Sequence, residues 1–393
     1  MTYLIIKVLI NFSILKQNKI YYWSPSLVNI ATNRAVINSA YAIKKYYKNT
    51  ECSIVNFFGE FERFKASILK KKIKLIYKYN PSIFKYLPKE GKIPSRFSYI
   101  IIFLTSFLPL KKLIRNDKPD YLIIHLITSL PLILLLMYKF ETKFILRISG
   151  YPRMNFLRKI LWRFAFKKIY AVTCPTKNTL NYIKNLDLIE ESKIILLYDP
   201  ILNVAEINKK KNEKKVEFKN YYLAVGRLTK QKNFLFLCKA FKKIIEKDHK
   251  AKLLIAGEGE DEKILKKFVK INKLEKNIFF LGFVNNIYPY FYNSKGFILS
   301  SLWEDPGFVL VEAGFCRTPI LSSDAWPGPT ELIQNCYNGI IFKNNDTDDF
   351  IKNFELINDL KIKHFIKLNK LKSIKKFTIY SHYKNLKKIL HLA

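Results

Sequence analysis

Residues 296–314 read GFILSSLWEDPGFVLVEAG. The first part, Gly296–Ser300, is a short apolar run of strand length, and the last part, from Phe308, has the apolar spacing of a buried helix. Between them stands Glu-Asp-Pro-Gly. Pro306-Gly307 let the chain turn sharply and approach a ligand closely. The first helical N–H groups, at about Gly307–Leu310, have no intrahelical acceptor, and the helix dipole adds positive potential there, so the turn is an anion site. Glu304 precedes this site and Glu312 lies about one turn into the helix, at a rise of about 1.5 Å per residue. Two acids repel phosphate but accept from hydroxyls. A ligand with hydroxyls at both ends and a diphosphate in the middle, a nucleotide sugar, satisfies all three groups. Taken alone, two glutamates eight apart also fit ordinary helix-start and surface acids.

The same strand–turn–helix rhythm runs through the chain. GRLTKQKN, residues 226–233, follows an apolar strand and carries Arg227 and Lys232. A planar guanidinium and a mobile ammonium together suit a diphosphate. Arg is rare here (10 of 69 basic residues), so Arg227 carries more weight than Lys232. Strands are predicted at Lys19–Ser24, Ser53–Phe57, Tyr121–His125, Lys143–Arg147, Tyr170–Cys174 and Lys193–Tyr198. A second series follows at Tyr221–Val225, Lys252–Ala256, Ile278–Leu281, Gly296–Ser300, Ile320–Ser323 and Gly339–Phe342. Helices near Asn233–Glu246, from Asp261, from Phe308 and near Thr330 separate the second set, and the tail from about Asp346 reads as helical and basic. This alternation predicts parallel α/β sheets. The polar, lysine-rich stretch 205–220 reads as a linker. GEGE, residues 257–260, reads as a strand-to-helix turn, because its acids would repel phosphate.

At 393 residues, with 49% apolar residues, the chain can bury two domain cores. The formal net charge of +38 favours anionic partners, although Lys, Ile, Asn, Phe and Tyr share A/T-rich codons. Five scattered cysteines (Cys52, Cys174, Cys238, Cys316, Cys336) without a CxxC argue against a disulfide framework. The histidines (His125, His249, His364, His382, His391) show no metal-ligand spacing, and no metal is expected. Residues 3–15 are apolar but short for a span and lack the flanks of a cleaved signal. Residues 121–138 just reach spanning length, but His125 and Pro131 inside them favour a strand, a turn and a buried helix.

In order, YLAVGRLTKQKN, LLIAGEGEDEKIL, IFFLGFVNN, GFILSSLWEDPGFVLVEAGFCRTPILSSD, GPTELI and NGIIF make residues 216–345 resemble the donor domain of family 4 glycosyltransferases, also called group 1. The resemblance implies the GT-B fold, in which two Rossmann-like, doubly wound domains face an inter-domain cleft. It places the acceptor domain at 1–204, with the last helix, about 376–393, packing back on it, and the donor domain at 216–375. It also implies roles. Arg227 and Lys232 contact the donor diphosphate, next to Gly226. Glu304 holds the transferred sugar and Glu312 the ribose. Gly307, Phe308 and Val309 give backbone N–H groups to the phosphates. Phe283 and Val284 line the base pocket, and Glu331 lies in the segment covering the sugar. KPDYLIIHLITSLPLILL resembles the acceptor-side segment in which a strand ends in His. Two departures stand out: SPSLVNIATNR lacks the usual Gly-Gly loop, and Ser149-Gly150 occupy the place of a frequent His. No catalytic His carries over, and His125 reads as a satisfied strand-end residue.

The expectation is therefore a retaining hexosyl- or N-acetylhexosaminyltransferase, without cofactor. It takes a nucleotide sugar, with uridine as the favoured base, and passes the sugar to a lipid-linked saccharide in cell-surface polysaccharide or lipopolysaccharide synthesis. The rival readings are a nucleotide-sugar epimerase on the same fold and a non-catalytic basic protein binding membrane or nucleic acid. The aromatic-and-basic motifs of nucleic-acid recognition are absent from the sequence. Residues 62–78 and 97–115 join apolar residues to clustered cations, which suits helices lying on an anionic membrane. A peripheral position on the cytoplasmic face is expected.

Overall fold

The computed structural model describes residues 17–28, 30–82, 86–88, 92–150, 152, 154–213, 215–359 and 374–392. Residues 3–15 and His364 lie outside them. The chain divides into two compact units. One contains the described residues up to Cys174, Tyr182–Asp199 and the segment from His382 onward; the other contains Pro175–Asn181 and Pro200–Ser381.

The first unit is built on a seven-stranded parallel sheet in the order β3-β2-β1-β4-β5-β6-β7. Its strands are β1 (Asn18–Trp23), β2 (Thr50–Val55), β3 (Lys74–Ile76), β4 (Tyr121–Ile124), β5 (Lys143–Arg147), β6 (Ala171–Cys174) and β7 (Ile194–Leu196). The helices between them are α1 (Ala31–Tyr46), α2 (Lys65–Lys70), α3 (Lys92–Asp117), α4 (Ser129–Met137), α5 (Phe156–Lys168) and α6 (Lys177–Asn185). Strands β1 to β3 advance one way across the sheet and β4 to β7 the other. Right-handed crossovers therefore put α1 and α2 on one face and α3, α4 and α5 on the opposite face. YLIIHLITSLPLILLLMY thus forms a strand and a separate helix. Residues 62–78, expected as one amphipathic helix, instead form a 3₁₀ turn (Glu62–Phe64), α2 and β3. Lys72 takes a positive φ, which ends the helix there.

The second unit has a six-stranded parallel sheet in the order β10-β9-β8-β11-β13-β15. Its strands are β8 (Tyr221–Val225), β9 (Lys252–Ala256), β10 (Ile278–Gly282), β11 (Gly296–Leu299), β13 (Ile320–Ser323) and β15 (Ile340–Phe342). A two-stranded pair, β12 (Trp303–Glu304) with β14 (Trp326–Pro327), lies outside the main sheet. Its helices are α7 (Val204–Lys210), α8 (Phe234–Lys247), α9 (Glu262–Ile271), α10 (Tyr288–Asn293), α11 (Phe308–Phe315), α12 (Gly328–Leu332) and α13 (Thr347–Asn358). The stretch expected as a linker thus begins with α7.

The central strands of each sheet are buried on both faces, which is why most of them read as apolar runs, while the edge strands β3 and β10 are only partly buried. The second core stacks Tyr222, Phe241, Phe350 and Phe354, with Tyr222 and Phe354 centroids 4.6 Å apart. The first core includes Ile20, Tyr22, Val36 and Ile54, together with Leu386, Ile389 and Leu390 of α14 (Ile379–Ile389) and the turn after it. His382 of α14 is buried in a hydrogen-bonded row. Its Nδ1 lies 2.8 Å from Tyr198 O, an atom that only accepts, so Nδ1 carries the proton. Its Nε2 then accepts from Ser39 Oγ at 2.9 Å, and Ser39 accepts from the Tyr22 hydroxyl at 3.0 Å. Burial lowers the His382 pKa to about 4, which keeps this neutral tautomer in place.

Candidate active site

In the second unit the strand order reverses between β8 and β11, and ligands of open parallel sheets bind beyond the carboxyl ends at such a point. Strand β8 delivers Gly226-Arg227 and the KQKN loop. Strand β11 delivers Ser300–Glu304 and, through the EDPG turn, α11. The two loops are tied together. Leu302 N donates to Gln231 O at 2.8 Å, Gln231 Nε2 donates to Trp303 O at 2.9 Å, and Ser300 Oγ donates to Lys232 O at 2.8 Å.

These ties bring Lys232 and Glu304 into a direct, nearly buried ion pair, Nζ to Oε1, with side chains 13% and 8% exposed. Ser301 Oγ donates to the same Glu304 oxygen at 2.7 Å. Gly226 gives the lysine room, since a Cβ there would lie 3.0 Å from Lys232 Cε. Arg227 is exposed.

The EDPG turn ends in Gly307, whose φ of +90° favours glycine. Gly307 caps α11 without a side-chain hydrogen bond, so the first-turn amides of Phe308 and Val309 are presented as the dipole argument requires. Glu312, on the second turn, is 2% exposed, and its Oε1 accepts from the Tyr288 hydroxyl at 3.1 Å. Tyr288 opens α10, and nothing in the sequence pointed to it.

Asp305 accepts from Thr176 Oγ1 (3.1 Å) and Thr179 Oγ1 (2.8 Å). Glu331 Oε2 accepts from Asn178 N at 3.1 Å, and Asn178 Nδ2 donates to Pro327 O at 3.0 Å. The 175–181 segment, which belongs to this unit, thus holds both turns that flank the site. These threonines also went unnoticed in the sequence, because their partners lie more than 120 residues away.

Phe283 and Val284 follow the edge strand β10, and Phe283 is exposed. GEGE forms the turn from β9 to α9, with Glu258 Oε1 accepting from Phe283 N at 3.2 Å. The structure therefore gathers Gly226, Arg227, Lys232, Glu304, Gly307, Phe308, Val309 and Glu312 around the ends of β8 and β11. Glu331 stands on the adjoining turn, and Phe283 and Val284 stand at the end of β10.

In the first unit the strand order reverses between β1 and β4, where Ser24 and His125 follow the strand ends. His125 is buried, as a strand-end residue should be, but it is not satisfied: Nδ1 has no hydrogen-bond partner among the described residues. Burial and the nearby Arg147 charge push its pKa well below the usual histidine value. Arg147 is itself paired with buried Asp199.

The profile described as "Glycosyl transferases group 1" matches residues 205–374. A glycosyltransferase of Methanocaldococcus jannaschii is 28% identical over 318 residues, covering 74% of this chain and 73% of that protein. Residues 205–374 form a group 1 glycosyltransferase domain. A Campylobacter jejuni alpha-1,4-N-acetyl-D-galactosaminyltransferase, named for a diphospho-undecaprenol-linked saccharide, is 26% identical over 369 residues, covering 93% of this chain and 96% of its own length. The crystal structure of Anabaena HepE in complex with UDP and glucose superposes with a TM-score of 0.69 at 16% identity, covering 96% of this chain and all of that one. The two Rossmann-like parallel-sheet units are those of the GT-B fold.

Proposed function

We propose that this glycosyltransferase moves a sugar from a nucleotide-diphosphate donor, with uridine as the base, to a lipid-linked saccharide acceptor, with retention at the anomeric carbon. The observation that carries the donor half is the placement of Glu304 and Glu312 on either side of the α11 N-terminus, with Lys232 and Arg227 on the loop tied to it. Glu312 accepts from the ribose hydroxyls, its second turn position fixed by Tyr288. The diphosphate lies on the amides of Gly307, Phe308 and Val309. Glu304 accepts from a hydroxyl of the transferred sugar, and Phe283-Val284 border the base. Glu331 acts on the sugar side through the turn that Asn178 holds.

Without donor, Glu304 is the counter-charge of Lys232. When the diphosphate enters, Lys232 gains a second anionic partner and Glu304 is released towards the sugar. Negative charge builds on the leaving diphosphate as the glycosidic bond breaks, and Arg227, Lys232 and the helix end stabilise it there. No side chain at the site is placed as an obvious nucleophile, so attack from the face of the departing phosphate is the reading, and positioning supplies much of the rate. The lipid-linked acceptor is supported by the name of the Campylobacter relative. The uridine base is supported by the UDP bound in the Anabaena protein. An acceptor held in a bilayer implies work at the cytoplasmic membrane face. The test is transfer of radiolabelled sugar from UDP-sugars into a lipid extract, with anomeric configuration read by NMR. An inverted product removes the retaining step, and label released as free sugar with every lipid acceptor removes the acceptor class.

A further inference from the structure

Helix α3 is, among the described residues, the helix long and apolar enough to cross a membrane. Its contacts show a different use. Ser98, Ile102, Ser106, Leu110 and Ile114, spaced by four, are buried against the first unit. Phe97, Ile100, Leu104 and Leu108 form a stripe on the opposite side, at 56–66% exposure. The helix is therefore docked along one face and open along the other. Helix α5 repeats this pattern. Trp162, Ala165 and Phe166 are buried, while Phe156 (77%), Leu157 (75%), Ile160 and Phe164 line the outer side. Helix α4 packs on both α3 and α5, and its last residue, Met137, is also exposed. Two apolar stripes thus lie on one layer of the unit.

The charges around them are mostly basic, the nearby acids being Asp117 at the end of α3 and Glu141, which is paired with Lys118. FLRKILWRFAFKK, the whole of α5, holds five basic residues and no acid. Lys159, Arg163 and Lys167 recur every four residues and so run beside the Phe156–Phe164 stripe. Lys111, Lys112 and Arg115 close the end of α3, where Lys111 and Arg115 lie over the Tyr138 ring. Protein–protein interface cores are depleted of lysine. Apolar side chains bordered by cations match the boundary between acyl chains and anionic headgroups, into which such a helix face sinks by about 5–10 Å.

We infer that the outer faces of α3 and α5 together form a docking surface for an anionic lipid bilayer. This rests on the reading of a membrane-borne acceptor and assigns it a surface. That surface includes α5, and it does not require α2.

The test uses the full chain and vesicles of phosphatidylglycerol with phosphatidylcholine, against vesicles of phosphatidylcholine alone. The expected result is binding to the anionic vesicles only. Phe156→Ser/Leu157→Ser/Phe164→Ser and Lys159→Gln/Arg163→Gln/Lys167→Gln should each lower the partition coefficient at least tenfold. A Lys70→Gln/Lys71→Gln/Lys72→Gln variant should change it less than threefold. Leu104→Trp and Leu157→Trp should be quenched by brominated lipid. UDP thermal shift should be unchanged in every variant, because the substituted side chains are exposed and lie outside the donor unit. Wild-type binding that survives both α5 variants overturns the surface while leaving the membrane reading intact. No wild-type binding to anionic vesicles overturns both. Loss of an oligomer in the apolar variant, without change in vesicle binding, assigns the stripe to a second copy of the chain instead.

Discussion

Glu304→Gln separates stability from chemistry at one position. The substitution keeps the side-chain shape and an acceptor for Ser301 Oγ, but it leaves the Lys232 ammonium without its carboxylate in a site where both side chains are nearly buried. Removing one partner of a buried ion pair costs about 3–5 kcal/mol, because the remaining charge is uncompensated. At about 2–4 °C per kcal/mol for a unit of 150–250 residues, the second unit should melt on the order of 10 °C lower. A nucleoside diphosphate supplies the missing counter-charge. The variant should therefore bind UDP more tightly than wild type, and saturating UDP should narrow the stability gap by about 1.4 kcal/mol for each tenfold gain in affinity. At 100 times Kd, ligand alone adds about 2.7 kcal/mol. Turnover should be nearly lost, because the carboxylate that accepts from the sugar hydroxyl is gone. The assay is urea unfolding with and without UDP, beside titration calorimetry and initial rates. If Glu304→Gln unfolds at the wild-type midpoint, or loses UDP affinity as severely as it loses turnover, the account of the pair is refuted.

Glu312→Ala should weaken UDP binding at least tenfold, and Tyr288→Phe should weaken it less while leaving kcat within about twofold; calorimetry showing a larger effect for Tyr288→Phe would reverse their roles. Arg227→Ala should cost about 1.5–3 kcal/mol of UDP affinity, the worth of a charged hydrogen bond, and Arg227→Lys less; unchanged affinity in Arg227→Ala removes that residue from the site. Burial raises the Glu60 carboxyl to about 7, above its unfolded value, so it subtracts stability as pH rises from 4.5 to 7 and nothing below 4.5. His382, lowered to about 4, has the opposite slope, subtracting stability as pH falls from 6.5 towards 4. Glu60→Gln should therefore stabilise the first unit at pH 8, and between pH 6.5 and 4.5 its acid loss should be steeper than wild type by about 1.4 kcal/mol per pH unit; equal stabilisation at pH 5 and pH 8 would contradict the assignment.

The second unit was largely legible in the sequence because its strands are buried on both faces and end at Gly226, Gly257 and the EDPG turn. Continuous apolar runs with glycine punctuation leave few other readings. The first unit was less so. Strand β3 is only Lys-Leu-Ile inside a lysine-rich stretch, where codon composition hides the pattern. The pair β12 with β14 has two residues per strand, too few for any periodicity. At the site, types and order were readable, but partnerships were not. Lys232 and Glu304 are 72 residues apart, and Tyr288 reaches Glu312 from a helix without a motif. His125 showed the reverse failure: its place at a strand end was readable, but the orphaned Nδ1 depends on what surrounds it. Residues 156–168 drew no reading from the sequence, and the outward apolar stripe of α5 is visible only in the structure.

On the reading proposed above, the α11 end of the second unit takes a nucleotide-diphosphate sugar. The most direct measurement is a thermal-shift screen of nucleotide sugars against wild type and Glu312→Ala, since a ligand that binds only the folded state raises its melting temperature. At least one UDP-sugar should raise the wild-type melting temperature in a concentration-dependent way, and most of this shift should disappear in Glu312→Ala. A screen in which no nucleotide sugar stabilises the wild type, or in which the stabilisation is undiminished in Glu312→Ala, would contradict it.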